Sequence, residues 1–291
     1  MLTKRILTAL VLLPFAIALF FYFNLNYFSA TVAVIIYLGA IEWAKLAGIK
    51  SQNQQTIYAT VLSLVNVGLL LLTPWSNTIS WFFISETASQ VYSVVLHLAI
   101  LGILLGIIIV WIYSTPQKWW TRFALRPILG FIMLPGFLIA LIGIRSRAFD
   151  IDFNYGSQLL LMMFCMVWAA DIGAYFTGKI FGKHKLAPVV SPNKTWQGAF
   201  GGVIFSVGAA FLGMELIGLS VDNIYLFAVV SFLIAVISVY GDLFESALKR
   251  HEGIKDSSNL LPGHGGILDR LDSSIFVAPV FFLSFSWFGW I

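Results

Sequence analysis

Long apolar runs recur along this chain and constrain its fold more than any other feature. A run of about 20 apolar residues can cross the roughly 30 Å hydrocarbon core of a bilayer as a helix. Only 10% of the 291 residues are charged, against roughly 25% in ordinary soluble domains. We therefore predict an all-α, polytopic integral membrane protein with about nine transmembrane helices, at residues 6–23, 28–47, 57–73, 91–113, 127–144, 158–178, 197–219, 223–246 and 273–291.

The first apolar run follows Lys4 and Arg5, an arrangement that also begins secretory signal peptides. The run is longer than the apolar part of a typical signal peptide, and it has no small-residue cleavage site. We therefore predict that residues 6–23 form a retained first span.

The distribution of basic residues predicts the orientation of these spans. With the N-terminus placed in the cytoplasm, only Arg145 and Arg147 of the 17 Lys and Arg residues fall on the outer side. Such an asymmetry is expected from the positive-inside rule, so we predict a cytoplasmic N-terminus and an outer C-terminus. The residues on the cytoplasmic side are Lys4, Arg5, Lys45, Lys50, Lys118, Arg122, Arg126, Lys179, Lys183, Lys185, Lys194, Lys249, Arg250, Lys255 and Arg270.

The net charge of +4 does not indicate a nucleic-acid partner. The basic residues are spread over several cytoplasmic stretches and are separated by membrane spans, so they form no continuous basic face. We expect anionic lipid headgroups and nucleotide phosphates as partners, and no nucleic acid.

Two cytoplasmic connections are unusually polar, and both lie in the C-terminal part of the chain. We divide the chain into N-terminal transmembrane helices, residues 1–120, and a catalytic region, residues 121–291, whose loops are 179–196 and 247–272. A connection between two helices needs only a few polar turn residues. The composition of these two loops therefore indicates a function.

The first loop contains Lys179 and, just before span seven, the sequence Ser-Pro-Asn-Lys-Thr. Hydroxyl groups, a lysine and a helix N-terminus together suit phosphate oxygens, so Ser191, Lys194 and Thr195 are candidate substrate-binding residues. Two simpler interpretations remain open: the lysines are only topology signals, and Ser191 or Thr195 only caps span seven.

The second loop alternates cations, carboxylates and glycines. Cationic side chains bind phosphates, and carboxylates bind a metal ion that bridges those phosphates. Glycines at 263, 265 and 266 let the backbone approach a ligand closely, although they are also compatible with a flexible loop. His264 is a candidate metal ligand or proton carrier, or a local hydrogen-bonding residue. The charged residues are Lys249, Arg250, Glu252, Lys255, Asp256, Asp269, Arg270 and Asp272.

Two acids lie within predicted spans, where an unpaired charge is costly. Asp171 is roughly 10 Å from the cytoplasmic end of span six at 1.5 Å per residue, and Asp242 lies near the same end of span eight. Asp242 also shares a helix face with Glu245. We interpret both aspartates as functional, whereas Glu42 and Glu215 are interpreted mainly as interfacial residues.

The sequence of residues 246–272 resembles the signature of the phosphatidate cytidylyltransferases, also called CDP-diglyceride synthases, of the bacterial type. The matching pattern is Ser-x-Leu-Lys-Arg, four residues, Lys-Asp-x-Ser, then Leu-Pro-x-His-Gly-Gly-Ile-x-Asp-Arg-Leu-Asp. The resemblance extends upstream to residues 241–246, 191–198, 170–175 and 178–182, whereas residues 1–150 match only in general character.

This resemblance implies an activity, cofactors and a location. The family transfers CMP from CTP to phosphatidate, giving CDP-diacylglycerol and pyrophosphate, and requires Mg²⁺, with K⁺ as a candidate second cation. It implies a multi-pass protein of the bacterial cytoplasmic (inner) membrane with its active site on the cytoplasmic side, and a homodimer is expected.

The resemblance also assigns roles to individual residues. By motif, Asp242 and Asp269 are the expected metal ligands. The expected phosphate-facing or catalytic residues are Lys249, Arg250, Lys255, Asp256, His264, Arg270 and Asp272, and the expected substrate-binding residues are Ser191, Lys194, Thr195, Asp171, Lys179, Gly265 and Gly266.

Three other classes of protein fit this sequence less well. A transporter or channel would place polar groups at many depths of the bilayer, whereas here they gather at one end of the spans. A transferase for nucleotide sugars or polyprenyl phosphates would not require the 246–272 pattern, and a structural scaffold would not require the buried Asp171.

Overall fold

The computed structural model describes residues 2–72, 86–114, 119–121, 124–148 and 152–291. These residues form nine α-helices, a short antiparallel hairpin and one 3-10 turn, and each predicted span lies on one helix. The prediction of an all-α polytopic membrane protein is confirmed, although the hairpin was not predicted. The helices are α1 Leu2–Phe21, α2 Leu25–Leu46, α3 Gln52–Leu71, α4 Glu86–Ile112, α5 Leu125–Arg145, α6 Tyr155–Phe181, α7 Trp196–Ile217, α8 Ile224–His251 and α9 Leu268–Trp287; the strands are β1 Lys185–Ala187 and β2 Ser191–Thr195; the 3-10 turn is Trp119–Thr121.

Seven of the helices, α2 to α8, are long and apolar enough to cross a membrane. Helix α9 begins with several charged residues, yet its middle belongs to the core: Phe276, Val277 and Phe281 are at most 1% exposed. Helix α9 can therefore carry polar groups at its start because protein rather than lipid surrounds it. The count of nine spans remains a prediction, as does the side of the membrane that each end faces.

Three helices extend further into the polar connections than predicted. Helix α6 continues to Phe181, α8 continues to His251, and α9 begins at Leu268. The last turn of α8 contains basic residues, and positive charge there is stabilised by the negative end of the helix dipole. Lys249 also pairs with Glu245 one turn earlier. Lys249 and Arg250 are therefore helical, and Asp171 lies about 15 Å from the end of α6 rather than 10 Å.

One end of the bundle carries the polar connections, and we call it the loop end. There the loop of residues 252–267 meets three earlier parts of the chain. Lys45 Nζ donates to the Ser257 carbonyl oxygen at 3.2 Å, and Arg126 pairs with Glu252. Thr8 Oγ1 donates to the Pro262 carbonyl oxygen at 2.8 Å. Helix α1 therefore starts at the loop end.

At the opposite end, the only two basic residues predicted to lie outside have structural partners. Arg145 is fully buried, and its guanidinium donates to the carbonyl oxygens of Phe23 and Phe153, both at 3.2 Å. Arg147 donates to Ser286 Oγ at 2.7 Å, close to the end of α9. These arginines fasten the connections at this end, and α9 ends here, so the described chain starts and finishes at opposite ends of the bundle.

Helices α6 and α7 pack against each other through glycines, which we call the glycine interface. A Cβ atom at Gly202 would lie 2.7 Å from the Ala170 carbonyl oxygen, and one at Gly201 would overlap the Thr177 side chain. Small residues let two membrane helices approach until their backbones touch. This close approach places the start of α7 beside Asp171 on α6.

Candidate functional site

A cavity of about 470 Å³ opens at the loop end of the bundle between α6, the hairpin, the start of α7 and α8. Its charged lining consists of residues that the sequence singles out in two distant segments. The structure thus brings together five of the predicted site residues, namely Asp171, Lys179, Lys194, Thr195 and Asp242.

The hairpin positions Lys194 and Thr195 in this wall. Strand β2 pairs with β1 through Lys185 and Thr195, and Thr195 Oγ1 accepts from the Gly198 N–H at 3.1 Å. Thr195 therefore caps α7, as the simpler interpretation had it, and it lines the cavity as well. The cap fixes where β2 ends, which aims the preceding Lys194 at α8.

Lys194 forms an ion pair with Asp242 across the cavity, and roughly a quarter of each side chain is exposed. Ser246 Oγ also donates to Asp242 Oδ1, at 3.2 Å. Both members of the pair thus remain accessible from the cavity. A phosphate entering it can bind the lysine, and a cation can bind the aspartate.

Three carboxylates surround this position. Asp171, Asp242 and Asp272 are close enough to repel one another electrostatically, and Lys194 partly offsets that repulsion. Arg270 also interacts with Asp171. This mixture of close negative and positive groups suits a ligand that carries a metal cation together with phosphates.

The carboxylates that line the cavity suit Mg²⁺ bound together with substrate phosphates. In the part of the chain that the structure describes, no group of three or more His, Cys, Asp or Glu residues forms a ready-made metal cluster. Mg²⁺ is commonly held by one or two carboxylates, with water and substrate phosphates completing its shell. The acids that line the cavity, Asp171 and Asp242, match that requirement.

Asp269, the other predicted metal ligand, is already held by groups of the protein. Its oxygens accept from Lys249 Nζ at 2.7 Å, the Gly266 N–H at 2.7 Å, and the N–H and hydroxyl of Ser257, both at 3.0 Å. Burial favours the neutral acid, but these hydrogen bonds outweigh it and lower the pKa of Asp269 below its ordinary value. A metal bound here would have to share the carboxylate with four donors.

The glycines of the loop allow this arrangement. Gly265 has a φ of +83°, and a Cβ on it would overlap the Asp269 carboxylate; a Cβ on Gly266 would overlap Ser257 Oγ. The groups that approach these glycines here are side chains of the protein itself, and a close approach to a ligand stays a prediction.

Glu42 on α2 is the most important residue that the sequence interpretation missed. It is 5% exposed, so its interpretation as an interfacial residue is wrong. Its carboxylate accepts from the hydroxyls of Ser257 and Ser258 at 2.9 and 2.6 Å, and from the N–H groups of Ile267 and Leu268 at 3.0 and 2.8 Å. The last two bonds place a negative charge at the start of α9, where the helix dipole favours it.

Ser257 was also missed, although it lies inside the recognised signature. It is fully buried, and its hydroxyl lies within hydrogen-bonding distance of both Glu42 and Asp269. A signal for Glu42 existed: a carboxylate one turn inside an apolar helix is costly unless it has partners. The sequence alone could not show that those partners come from a segment more than 200 residues away.

Arg126 was predicted only as a topology signal, but it is 6% exposed and structural. It pairs with Glu252 at the start of the loop and donates to the Leu46 carbonyl oxygen at 3.1 Å. Trp43 Nε1 in turn donates to the Arg126 carbonyl oxygen at 3.0 Å. The starts of α5 and the loop are thereby fastened to the end of α2.

Two of the predicted phosphate-facing cations contact protein groups. Lys249 Nζ bonds to Glu245 at 2.6 Å as well as to Asp269. Arg250 donates to the carbonyl oxygens of Val190 in the hairpin and Ile254 in the loop, at 3.4 and 3.2 Å. In this arrangement Lys249 neutralises buried carboxylates, and Arg250 joins the two polar connections.

The remaining predicted residues of the two loops do not line the cavity. Lys255, Asp256 and Arg270 are exposed, and Arg270 Nε donates to the His264 carbonyl oxygen at 3.2 Å. The His264 N–H donates to the Leu261 carbonyl oxygen at 2.9 Å, so the backbone of His264 supports the local turn. Ser191 pairs with Ala187 at the start of β2 and does not line the cavity.

The chain has extensive sequence similarity to known proteins. A sequence model of the cytidylyltransferase family matches residues 3–288. The chain is 37% identical over 281 residues to the phosphatidate cytidylyltransferase of Pseudomonas aeruginosa, covering 97% of this chain and 96% of that one. It is 36% identical to the phosphatidate cytidylyltransferase of Haemophilus influenzae, covering 97% of each chain. The phosphatidate cytidylyltransferase of Bacillus subtilis is 42% identical over 163 residues, covering 55% of this chain and 59% of that one. The resemblance predicted from the signature is thus confirmed, and the chain belongs to the cytidylyltransferase family of enzymes.

Proposed function

We propose that this enzyme transfers CMP from CTP to phosphatidate, forming CDP-diacylglycerol and pyrophosphate. A non-bridging oxygen of the lipid phosphate attacks the α-phosphorus of CTP, the bond from that phosphorus to the oxygen bridging to the β-phosphate breaks, and pyrophosphate leaves. The observation that carries the proposal is the cavity at the loop end, in which Lys194 and Asp242 face each other and remain accessible.

The reaction joins two polyanions, so charge neutralisation and alignment are the main requirements. The attacking oxygen belongs to an anionic phosphate and needs no nucleophilic side chain of the protein. Lys194 and Lys179 line the cavity, and Arg270 lies near Asp171. We assign these cations to the phosphates of the two substrates.

We assign Asp242 and Asp171 to the binding of Mg²⁺, which would offset the negative charge of the CTP phosphates and of departing pyrophosphate. Asp272 lies close to both acids. Asp269 remains a predicted metal ligand, and K⁺ as a second cation and the homodimer remain predictions as well. In the described arrangement, Asp269 orders the loop through its four donors.

The position of the cavity suits both substrates. It lies at the end of the bundle that carries most of the basic residues, which we assign to the cytoplasmic side of a bacterial inner membrane. CTP would enter from the cytosol, and phosphatidate would present its phosphate at the surface of the same leaflet. Asp171 and Asp242 would meet them just below that surface.

The test is incorporation of label from α-³²P-CTP into lipid by the purified protein in detergent–phosphatidate micelles, with and without Mg²⁺. We expect Mg²⁺-dependent formation of CDP-diacylglycerol, and a loss of at least about 100-fold in the Asp242→Asn variant. Asp222, which lies outside the cavity between α7 and α8, provides the matched control variant Asp222→Asn, expected to retain activity. No lipid product from the folded wild-type protein would overturn the proposed function.

A further inference from the structure

A second cavity of about 510 Å³ lies beside the first, between the end of α4, the hairpin, α7 and α8. We call it the apolar groove. Its volume is typical of small-molecule sites, which occupy roughly 300–1,000 Å³. None of the side chains that line it is charged, in contrast to the first cavity with its aspartates and lysines. The groove therefore suits a hydrocarbon ligand and does not suit a nucleotide.

The two cavities are neighbours that share part of their walls. Leu186 of the hairpin, Ala199 of α7 and Val239 of α8 line both of them. Val239 also lies three residues before Asp242, which puts both side chains on one face of α8. A single ligand could thus extend from the ion pair over these apolar side chains into the groove.

The groove runs from the reacting end of the site toward the middle of the bundle. Along α8 its lining extends from Leu243, beside Asp242, to Phe232, and these twelve residues span about 17 Å at 1.5 Å per residue. Along α7 it extends from Trp196 at the helix start to Val203. Since both helices are long and apolar enough to span a membrane, the groove descends from the polar cavity into the depth of the bilayer.

Aromatic side chains form the outer rim of the groove. Trp111 on α4 is 72% exposed and donates from Nε1 to the Tyr240 hydroxyl on α8 at 2.8 Å. Trp196 and Phe200 on α7 are 51% and 63% exposed. Tryptophan and tyrosine are enriched where membrane proteins meet the interface between headgroups and acyl chains. The groove is therefore open sideways toward lipid.

We propose that the apolar groove binds an acyl chain of the lipid substrate while the lipid phosphate occupies the first cavity. The inference rests on the proposed function, because phosphatidate carries its phosphate and its acyl chains on the same glycerol. The groove then acts as a subsite that holds the lipid in line for reaction, and it makes catalytic efficiency depend on acyl-chain length.

The test fills the groove and compares lipids of different length. Val236 lines it from α8, and Val236→Trp would place an indole ring in it. We expect the KM for dioleoyl phosphatidate to rise about tenfold or more, with little change for dihexanoyl phosphatidate or for CTP. The matched control is Val229→Trp, two turns away on the same helix at a 55% exposed position that lines neither cavity; it should behave like the wild-type protein toward both lipids.

A second measurement does not depend on the variant folding well. A phosphatidate with a photoreactive diazirine near the end of one acyl chain is bound to the wild-type protein, irradiated and mapped by mass spectrometry. We expect labelled peptides from α4, α7 and α8 that include residues lining the groove, and less labelling when unlabelled dioleoyl phosphatidate competes.

Several outcomes would overturn the inference. One is a Val236→Trp enzyme that treats long and short lipids alike, whether active or uniformly impaired. Others are labelling confined to surfaces outside the groove, or cross-linking between copies showing that a second copy of the chain fills it. A wild-type protein that makes no lipid product refutes the proposed function instead, so the two failures are distinguishable.

Discussion

The two polar connections at the loop end differ in how they are held. The loop of residues 252–267 is fastened by buried groups: Glu42 and Asp269 accept its hydroxyl and N–H donors, and Arg126 binds Glu252. The hairpin of residues 185–195 has its own ladder and the Thr195 cap, but its link to α8 is the partly exposed pair of Lys194 and Asp242, together with Arg250. The loop is thus built into the core, whereas the hairpin meets α8 through groups that a substrate could also use.

This difference separates two roles that look alike in the sequence. Both connections contain lysine and proline, and both resemble parts of the family signature. In the loop, much of the charge is used to hold the backbone in one arrangement. In the hairpin, the charge of Lys194 faces the cavity. Variants of the loop should therefore impair folding and activity together, whereas variants of the hairpin should impair activity alone.

The largest effect is expected from Glu42→Ala. Three donors, the Ser258 hydroxyl and the N–H groups of Ile267 and Leu268, lose their acceptor in a largely buried site, whereas the Ser257 hydroxyl keeps Asp269. Each unsatisfied donor costs about 1–3 kcal/mol. We expect a loss of more than about 3 kcal/mol in the free energy of unfolding and at least about 100-fold in activity. Thermal unfolding in detergent and the CMP-transfer assay measure the two effects.

Glu42→Gln should be milder, because the amide oxygen still accepts hydrogen bonds. The matched control is Glu215→Ala, at an exposed position near the opposite end of α7, which should change neither quantity. Normal stability in Glu42→Ala would show that the loop does not depend on this carboxylate.

Arg126→Ala is expected to rank second. Its partner Glu252 would remain at the start of the loop without its cation, and breaking a buried pair from one side typically costs about 3–5 kcal/mol. The loss should fall toward the lower end of that range, since 19% of the Glu252 side chain is exposed. Circular dichroism during heating measures this destabilisation.

A double variant, Arg126→Met with Glu252→Leu, should recover part of the lost stability, because replacing both partners by apolar groups leaves no buried charge unpaired. If the double variant is less stable than Arg126→Ala alone, the pair does not hold the loop in the way described.

Lys194→Ala should separate the hairpin from the loop. Its ion pair with Asp242 is partly exposed, so the change in the free energy of unfolding should stay below about 1 kcal/mol. Activity should still fall by roughly 10- to 100-fold, because a cation that faces the phosphates is lost. Lys183→Ala, at an exposed position of the same connection outside the cavity, is the control. Equal activities in the two variants would argue against a substrate role for Lys194.

The smallest effect should appear in hydrogen exchange of the wild-type protein. The N–H groups of Ser257, Gly266, Ile267 and Leu268 donate to buried carboxylates, so adding CTP with Mg²⁺ should change their exchange less than about twofold. Exchange in the hairpin should slow by up to about tenfold, because ligand binding stabilises the less firmly held segment. Mass spectrometry of peptides from the two segments measures the difference.

Much of the fold could be predicted from the sequence because the membrane imposes a simple rule. Apolar runs of sufficient length become helices, and each predicted span corresponds to one helix. Helix ends were predicted less well, since α8 continues to His251, five residues past the predicted end of its span. Ion pairs and the helix dipole stabilise these polar turns. A search for apolar runs cannot detect them.

The candidate site was partly predictable for a related reason. Asp171 and Asp242 were found because acids within spans are costly, and Lys194 was found by its motif. Glu42 and Arg126 were not, because their roles depend on contacts with Leu268 and Glu252, far away along the chain. Hydropathy reports which solvent a residue meets, but it does not report which distant residue becomes its partner.

The glycine interface between α6 and α7 has a consequence for how substrate preference can change in this fold. Backbone atoms meet there: a Cβ at Gly202 would lie 2.7 Å from the Ala170 carbonyl oxygen, next to Asp171. No side chain can be enlarged or shortened at such a contact to resize the cavity. New preferences, whether evolved or engineered, would have to arise from α4, α8, the hairpin and the face of α7 that lines the apolar groove, where exchangeable side chains rather than main chain set the dimensions.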